Sequence, residues 1–285
     1  MDQEIHQIVE QMRNSETEKL TDSSTQTNTE ITTRDPSHDV CPLCKGTGWM
    51  FVDYNTVKEC DCGLLEKERQ GSKLRFAAIP DTYKGITLKD ITTKHYKDQA
   101  NKEIFKSVAK LVKWYLENLY ENIEKGKGIY FWSNTKGSGK TMLAAALANE
   151  LVNEHHRYVK FATSLDILEE IRATYDRKDR ESEDNESKLL KDLVTSEFLV
   201  IDDFGTERAT DWAGEKFYQI VNKRYINKKV TFYTSNYDLQ TLKYDDRITN
   251  RIKERSFIAH FPEESVREVI ARLENNFERI AYGTD

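Results

Sequence analysis

Five short apolar runs alternate with stretches of helical periodicity, and this pattern constrains the fold more than any other feature of the chain. The runs are GIYFW (128–132), YVKFAT (158–163), EFLVID (197–202), VTFYTS (230–235) and FIAHF (257–261). Runs this short and this continuously apolar are typical of strands buried on both faces, and helices between such strands connect them in parallel. The sequence therefore predicts an α/β fold with a five-stranded parallel sheet and helices on both of its faces.

The rest of the chain divides into regions of different composition. We predict a short helix and a flexible tail over residues 1–39, because the polar stretch there buries too little apolar surface to offset its ordering entropy. A small metal-binding module follows over 40–75, then a connector over 76–100 and the α/β domain over 101–285.

Two further stretches of the α/β domain have a distinct pattern. Apolar residues recur at helical spacing from Ile104 to Leu119, which predicts one long helix that ends at Gly126 and Gly128. The charged run 176–187 has no periodicity and is predicted to be a solvated loop.

Composition excludes several classes of protein. The formal net charge is −6, which does not suit a protein that coats DNA with a uniformly basic surface. No apolar run reaches the roughly 18 residues that span a bilayer, and the polar, acidic N-terminus does not resemble a signal peptide. We therefore expect a cytoplasmic protein without membrane contact.

The segment SNTKGSGKTMLAAALANEL (133–151) directly follows the first predicted strand and is predicted to be a phosphate-binding loop that leads into a helix. Gly137, Ser138 and Gly139 would bring backbone N–H groups to the phosphates of a nucleotide, where the helix N-terminus adds positive potential. Lys140 is expected to reach the β- and γ-phosphates, and the Thr141 hydroxyl to bind Mg²⁺. The alternative is a glycine-rich turn that binds no ligand.

Asn134 stands where the first glycine of such a loop is expected. That glycine begins the tight turn that leaves the strand, and Asn tolerates the left-handed backbone region better than most other residues. We therefore expect Asn134 to belong to a working loop, at the cost of weaker nucleotide binding.

Polar residues end two other predicted strands, at the edge where ligands bind to open α/β sheets. FLVIDDFG (198–205) places Asp202 to hold Mg²⁺ and Asp203 to polarise an attacking water. TSN (234–236) places Asn236 to hold that water or the γ-phosphate. Taken alone, each motif is also compatible with a simple turn.

Arginines in the C-terminal part complete the set. DDRITNRIKERS (245–256) places Arg247 and Arg251 on a short predicted helix, either as a solvated charged face or as guanidinium donors to the site of a neighbouring subunit. Arg267 lies in the first turn of the last predicted helix, where a positive charge opposes the helix dipole unless it faces an anion.

All four cysteines lie within residues 41–62, as a C-x2-C and a C-x-C pair separated by fifteen residues. Four thiolates at this spacing can hold one Zn²⁺ tetrahedrally, so the predicted zinc ligands are Cys41, Cys44, Cys60 and Cys62. Metal binding would replace a core in so small a segment. Four unrelated free thiols are the alternative.

Taken in order, these motifs resemble those of AAA+ ATPases and, more narrowly, those of replicative helicase loaders of the DnaC/DnaI type. The resemblance covers residues 76–285 and includes the strings AAIPDTYKGITLKDI, LAAALANEL, FLVIDDFGTE, NKRY and TSN. It implies ATP, Mg²⁺ and Zn²⁺ as cofactors. It also implies an ATPase activity, which we expect to be slow because Asp203 stands where many AAA+ proteins have Glu.

The resemblance assigns a role to most of the residues named above. They match Walker A (Lys140, Thr141), Walker B (Asp202, Asp203), sensor 1 (Asn236), the arginine finger (Arg251, with Arg247 as a near alternative) and sensor 2 (Arg267).

Loaders of this type bind the hexameric replicative DNA helicase of the DnaB family and deliver it onto single-stranded DNA, with ATP as a switch and with self-association through the ATPase domain. In DnaI-type loaders a zinc module contributes to the helicase contact, and Trp49, Met50 and Phe51 would either supply that surface or form the core of the module. The lysines and arginines of the stretches 223–229 and 251–255 are candidates for DNA contact, although a solvated charged face is the more common role for each of them taken singly.

Two other functions fit the motifs. An IstB-type transposition ATPase would bind DNA and recruit a transposase, although such proteins generally lack the zinc module. A zinc adaptor with a decayed nucleotide site would only bind a partner, and the intact Walker residues oppose that interpretation. The sequence does not distinguish a bacterial from a phage origin.

Overall fold

The computed structural model describes residues 41–275, with gaps at 46, 54–55, 176–189 and 208–209, so the predictions for residues 1–39 and for the run 176–187 lie outside the described residues. In chain order the elements are β1 (Trp49–Asp53), β2 (Thr56–Glu59), α1 (Leu64–Ala77), α2 (Gln99–Glu117), α3 (Leu119–Lys125), β3 (Gly128–Trp132), α4 (Lys140–Asn153), β4 (Val159–Thr163), α5 (Ser164–Tyr175), β5 (Phe198–Asp202), α6 (Asp211–Ile226), β6 (Val230–Ser235), α7 (Asp246–Arg255), β7 (Ser256–His260) and α8 (Val266–Glu274). Among these helices, none is both long and apolar enough to cross a membrane.

Strands β3 to β7 form one parallel sheet in the order β4-β5-β6-β3-β7. Each strand matches a predicted apolar run to within one residue at either end. The predicted five-stranded parallel sheet is therefore confirmed. Strand β3, which leads into the predicted phosphate loop, lies between β6 and β7.

The sheet is buried on both faces because alternate residues of its strands point to opposite sides. Ile129 and Phe131 belong to a core that includes side chains of α2 and α4, such as Val112 and Leu147. Tyr130 belongs to a second core, which includes side chains of α5, α6 and α7. Helices thus cover both faces, as the continuous apolar runs predict.

The helix predicted from Ile104 to Gly126 breaks at Asn118, so the prediction of one continuous helix is wrong. Asn118 leaves the helical conformation with φ −111° and ψ 30°, and its side-chain amide donates to the carbonyl of Trp114 at 2.8 Å. Side chains that bond the backbone in this way compete with helix continuation. Gly126 then ends α3 with φ 63°, while Gly128 is the first residue of β3.

Residues 76–100, predicted as a connector, contribute side chains to the first core. Ile79, Leu88, Ile91 and Tyr96 are all buried there. The side-chain amide of Asn149 on α4 fixes this segment, because it donates to the carbonyls of Tyr83 and Ile86 at 2.9 and 2.8 Å. The segment therefore packs against the helix that follows the phosphate loop.

Candidate nucleotide and metal sites

The phosphate loop (residues 133–139) connects β3 to α4, and its glycines adopt conformations that other residues rarely take. Gly137 and Gly139 have φ of 75° and 99°, and Gly139 directly precedes α4 as its N-cap. A Cβ on Gly137 would lie 2.9 Å from Cβ of Arg267 and from Oγ of Ser265. The loop thus leads tightly into the N-terminus of a buried helix, as an anion site of this kind requires.

Asn134 does not adopt the left-handed backbone conformation that its position at the first glycine of the motif predicts. Its φ is not positive, and its backbone N–H donates to Oε1 of Glu263 at 3.0 Å. A position without a positive φ does not favour glycine over other residues. The substitution for glycine is therefore accommodated, but the expected reason is wrong.

Lys140 begins α4 and is buried, with only 5% of its surface exposed. Its Nζ donates to the carbonyl of Thr135 at 3.0 Å and to Oγ of Ser138 at 3.2 Å. Burial lowers the pKa of Lys140 to about 8, although the carboxylates of Asp203 and Glu263 oppose that shift. A bound phosphate would stabilise the charged ammonium further.

Asp202 ends β5 as a buried carboxylate. Its Oδ1 accepts a hydrogen bond from Oγ1 of Thr234 at 2.5 Å, and the Thr141 hydroxyl also bonds to it. Burial raises the pKa of Asp202 to about 6, and the neighbouring charge of Asp203 adds to the shift, whereas these hydrogen bonds lower it. A buried carboxylate beside a hydroxyl on the α4 helix is a donor set that suits Mg²⁺.

Asp203 adopts the left-handed conformation, with φ 52°. Its N–H donates to Oγ1 of Thr234 at 2.9 Å, and its carbonyl accepts from Oγ of Ser164 at 3.0 Å and Oγ1 of Thr206 at 2.7 Å. A non-glycine residue in this conformation costs about 1–3 kcal/mol, and such residues cluster at functional sites. The surrounding bonds therefore stabilise Asp203 in a conformation that is unfavourable for most non-glycine residues.

A cleft of about 500 Å³ lies beside the phosphate loop. Its wall brings together predicted site residues from four parts of the chain: Gly137, Ser138, Gly139, Lys140, Thr141, Asp203, Asn236 and Arg267. The largely apolar side chains of Tyr83, Met142, Val266 and Ile270 also line the wall. A cleft that combines phosphate-binding groups with apolar side chains suits a nucleotide, whose triphosphate is charged and whose base is largely apolar.

The four cysteines form a second site, close to the hairpin of β1 and β2. Their sulfur atoms all lie within 4.8 Å of one another, with Cys41 Sγ 3.7 Å from Cys60 Sγ and Cys44 Sγ 3.7 Å from Cys62 Sγ. A tetrahedral zinc site with Zn–S bonds of about 2.3 Å has sulfur atoms about 3.8 Å apart. These distances fit Zn²⁺ and are far too long for disulfide bonds.

Comparison with known proteins agrees with this geometry. The sequence profile of the family described as "IstB-like ATP binding protein" matches residues 67–260. The chain belongs to the IstB-like ATP-binding family. Among curated relatives of this IstB-like protein, the phage-like element PBSX protein XkdC of Bacillus subtilis (strain 168) is 26% identical over 258 residues, or 88% of this chain and 89% of the relative.

Two helicase loaders are similar over a smaller part of the IstB-like protein. The replicative helicase loader DnaC of Buchnera aphidicola is 29% identical over 150 residues, so the alignment spans 52% of this chain and little more than half, 58%, of that relative. A crystal structure of the DnaC helicase loader superposes with a TM-score of 0.52 at 24% identity, over 64% of this chain and 99% of that one. The IstB-like protein thus has the fold of an AAA+ P-loop ATPase.

The two predicted arginine-finger residues, Arg247 and Arg251, do not line the cleft of their own chain. The guanidinium of Arg251 lies over the rings of Tyr218 and Tyr225, 5.1 and 5.6 Å from their centroids. Arg247 forms an ion pair with Asp245, with Nε 2.8 Å from Oδ1. The structure therefore brings Asn236 and Arg267 to the cleft, but not these two arginines.

Arg224, within the predicted DNA-contact stretch 223–229, is in fact buried, with 1% of its surface exposed. It donates to the carbonyls of Leu193, Ser196 and Val230 at 2.6, 2.9 and 2.5 Å. A side chain with this many internal partners is structural, so the prediction of DNA contact is wrong for Arg224. The spacing of basic residues in a sequence does not reveal which of their side chains points into the core.

Two polar residues of the site were not found from the sequence. Thr234, the first residue of TSN, links the end of β6 to the end of β5 through its hydroxyl, which donates to the carboxylate of Asp202 and accepts from the backbone N–H of Asp203. Glu263 accepts hydrogen bonds from the phosphate loop. Thr234 had a signal, since it precedes Asn236 at the same strand end, whereas Glu263 lies 129 positions from its partner Asn134 and had none.

Proposed function

We propose that this protein is an ATP-dependent loader that binds the hexameric replicative DNA helicase of the DnaB family and delivers it onto single-stranded DNA, with ATP as the switch. One observation carries the proposal: a single cleft gathers Lys140, Asp203, Asn236 and Arg267 in a chain whose relatives include replicative helicase loaders.

The cleft supports ATP binding and hydrolysis by the chain's own residues. Lys140 would bind the β- and γ-phosphates, and Thr141 and Asp202 would hold Mg²⁺, which neutralises phosphate charge when bound. Asp203 would orient and polarise the attacking water together with Asn236. Because Asp203 has a shorter side chain than Glu, we expect hydrolysis to be slow.

Self-association would complete the site. Arg251 lies outside the cleft of its own chain, on α7, which suits a guanidinium that stabilises phosphoryl charge in a neighbouring subunit. Arg267 would sense the nucleotide from within the same chain, since it lines the cleft. ATP would then order an assembly of subunits, and hydrolysis would release it.

The zinc module would contribute to the helicase contact. Trp49 is 43% exposed and Leu43 is 70% exposed, so neither serves only as internal packing of the module. Aromatic and aliphatic side chains that are exposed in this way are typical anchors of protein interfaces. Zn²⁺ held by the four cysteines would fix the hairpin that carries Trp49.

A transposition-associated ATPase is the second candidate, and the matched family profile favours it. In that function the protein would bind DNA and recruit a transposase. The cysteine centre lies outside the matched residues 67–260, which favours the loader over a protein that consists of the ATPase domain alone.

Co-purification with the cognate replicative helicase separates these candidates. We expect a complex with the helicase that depends on ATP, and we expect Lys140→Ala to abolish ATP turnover and remove that dependence. Lys191→Ala is the matched control, because this exposed lysine does not line the cleft. A protein that turns over ATP and binds DNA but ignores the helicase would support the transposition function instead, and absence of turnover in the wild type would favour a zinc adaptor.

A further inference from the structure

We propose that Glu263 is a positioning residue of the ATP site, whose carboxylate holds residues 133–135 of the phosphate loop in place of the turn that the first glycine would otherwise form. The inference rests on the proposed binding of ATP and deepens it. It assigns a function to a side chain that belongs to none of the Walker or sensor motifs.

The contacts of Glu263 are concentrated on the first half of the loop. Its Oε1 accepts from the N–H of Asn134 at 3.0 Å. Its Oε2 accepts from the N–H of Thr135 at 2.9 Å and from Oγ1 of Thr135 at 2.8 Å. Oγ of Ser133 also donates to Oε2, at 3.1 Å. Three consecutive residues are thus tied to one carboxylate, which fixes the chain where it leaves β3 without the need for a positive φ.

Glu263 is itself fixed from the other side. Nε2 of His260 lies 2.9 Å from Oε1 of Glu263, and the His260 ring stacks on Trp132 with centroids 4.2 Å apart. Oγ of Ser133 also lies 3.1 Å from the carbonyl oxygen of Pro262, so this carbonyl and Glu263 share its single hydroxyl proton. The carboxylate is therefore held in place by the ends of β3 and β7, which are neighbouring strands.

The same segment reaches the other end of the loop. The N–H of Arg267 donates to the carbonyl of Gly137 at 3.1 Å, so residues 263 and 267 contact both halves of the phosphate loop. Glu263 thereby links the shape of the loop to the helix that carries the sensor 2 arginine.

Charge explains why a carboxylate is tolerated beside a site for an anion. Partial burial raises the pKa of Glu263, but hydrogen bonds from His260, Thr135, Asn134 and Ser133 outweigh it and lower the pKa to about 2. The carboxylate is therefore charged at neutral pH, and its charge is directed at loop donors. Charge-assisted bonds of this kind are about twice as strong as neutral ones, which suits a role in holding the loop.

Glu263→Gln tests the proposal, with Glu264→Gln as the matched control. Glu264 is the adjacent carboxylate, but it accepts from the N–H of Lys97 at 2.7 Å and from Nδ2 of Asn101 at 3.1 Å, and not from the loop. Titration with a fluorescent ATP analogue and Mg²⁺ should show affinity about tenfold weaker in Glu263→Gln and nearly unchanged in Glu264→Gln. The KM for ATP should rise in parallel while kcat at saturating ATP changes by less than about twofold.

A double variant tests the link to the missing glycine. In Asn134→Gly/Glu263→Gln the loop can turn without the carboxylate, so affinity should return to within about threefold of the wild type. Wild-type affinity in Glu263→Gln, or equal loss in both glutamine variants, would overturn the proposal. An unrescued double variant would overturn the part that concerns glycine. Failure of the wild type itself to bind ATP would instead refute the proposed function, and melting curves without nucleotide identify any variant that fails to fold.

Discussion

The ATP cleft and the cysteine centre are two sites that the chain stabilises in different ways. The cleft stands on a sheet in which Ile129, Tyr130 and Phe131 have no exposed surface. In the hairpin beside the cysteines, Val52 and Val57 are 58% and 48% exposed. The first site is therefore supported by two apolar cores, whereas the second has little apolar surface to bury.

This difference indicates which site depends on its ligand for stability. Burial of apolar side chains stabilises the sheet whether or not ATP is bound. A small cysteine module gains most of its stability from the metal, because ligand binding there is also folding free energy. Removal of zinc and removal of ATP should therefore have very different structural consequences.

Loss of a zinc ligand should have the largest effect. Cys44→Ser replaces a buried cysteine of the proposed zinc site, so the metal-binding free energy, about 10 kcal/mol or more for structural zinc sites, should be largely lost. We expect loss of bound zinc and rapid proteolysis within residues 41–62, measured by metal analysis and limited digestion. The main melting transition should shift by less than about 2 °C.

Lys58→Ser, on the exposed strand β2, is the control for that variant. It should retain zinc and resist digestion as the wild type does. If Cys44→Ser kept one zinc per chain, Cys44 would not be a zinc ligand. A strong fall of the main melting transition would show that the two sites are not independent.

Arg224→Leu should have the second largest effect, and it acts on the sheet domain and not on the cysteine centre. The variant leaves the carbonyls of Leu193 and Ser196 and the hydroxyl of Thr231 without their donor. We expect the free energy of unfolding to fall by about 3 kcal/mol in a urea titration, while the zinc content stays constant. Lys223→Leu, at the exposed neighbouring position, should change it by less than about 0.5 kcal/mol. A loss equal to that of Arg224→Leu would show that the effect is not specific to the buried cation.

The apolar pattern predicted the scaffold better than it predicted the polar contacts. Strand β3 and the position of Lys140 and Thr141 at the start of α4 follow from local signals: a continuous apolar run, two glycines and a helix. Asp203 and Asn236 follow from the rule that parallel strands end at one edge of the sheet. Each of these inferences needs only neighbouring residues or the topology of the sheet.

The features that the sequence did not predict depend on contacts between distant residues. Arg224 belongs to a basic stretch of the sequence, which suggests an exposed position. Its burial depends on the carbonyls of residues 193, 196 and 230, which accept hydrogen bonds from its guanidinium. From the sequence, Glu263 is expected near the start of the last helix, yet its carboxylate accepts hydrogen bonds from the phosphate loop. The break at Asn118 depends on a side-chain bond to Trp114 that helical periodicity does not report.

Gly137→Ala should have a smaller effect, confined to the cleft. At this position alanine would have to adopt φ 75°, which is unfavourable for a residue with a Cβ. Its Cβ would also lie 2.9 Å from Cβ of Arg267, so the loop and α8 must move apart. We expect ATP affinity to fall about tenfold, measured with the fluorescent analogue, without loss of zinc. Gly63→Ala is a matched control, because Gly63 has φ 74° but no atom within 4 Å of the added Cβ. Equal loss of ATP affinity in both variants would mean that the contact with Arg267 is unimportant.

Asn134→Gly should have the smallest effect, although it restores the glycine that the sequence motif lacks. Asn134 has no positive φ to relieve, and glycine keeps the N–H that donates to Glu263. Glycine adds backbone freedom worth about 0.5–1 kcal/mol in the free loop, so ATP affinity should fall by no more than about threefold in the same titration. A tenfold gain would mean that Asn134 weakens binding after all, as its departure from the motif first suggested. Asn134→Pro provides the contrast, because it removes the N–H and should weaken binding more than glycine does.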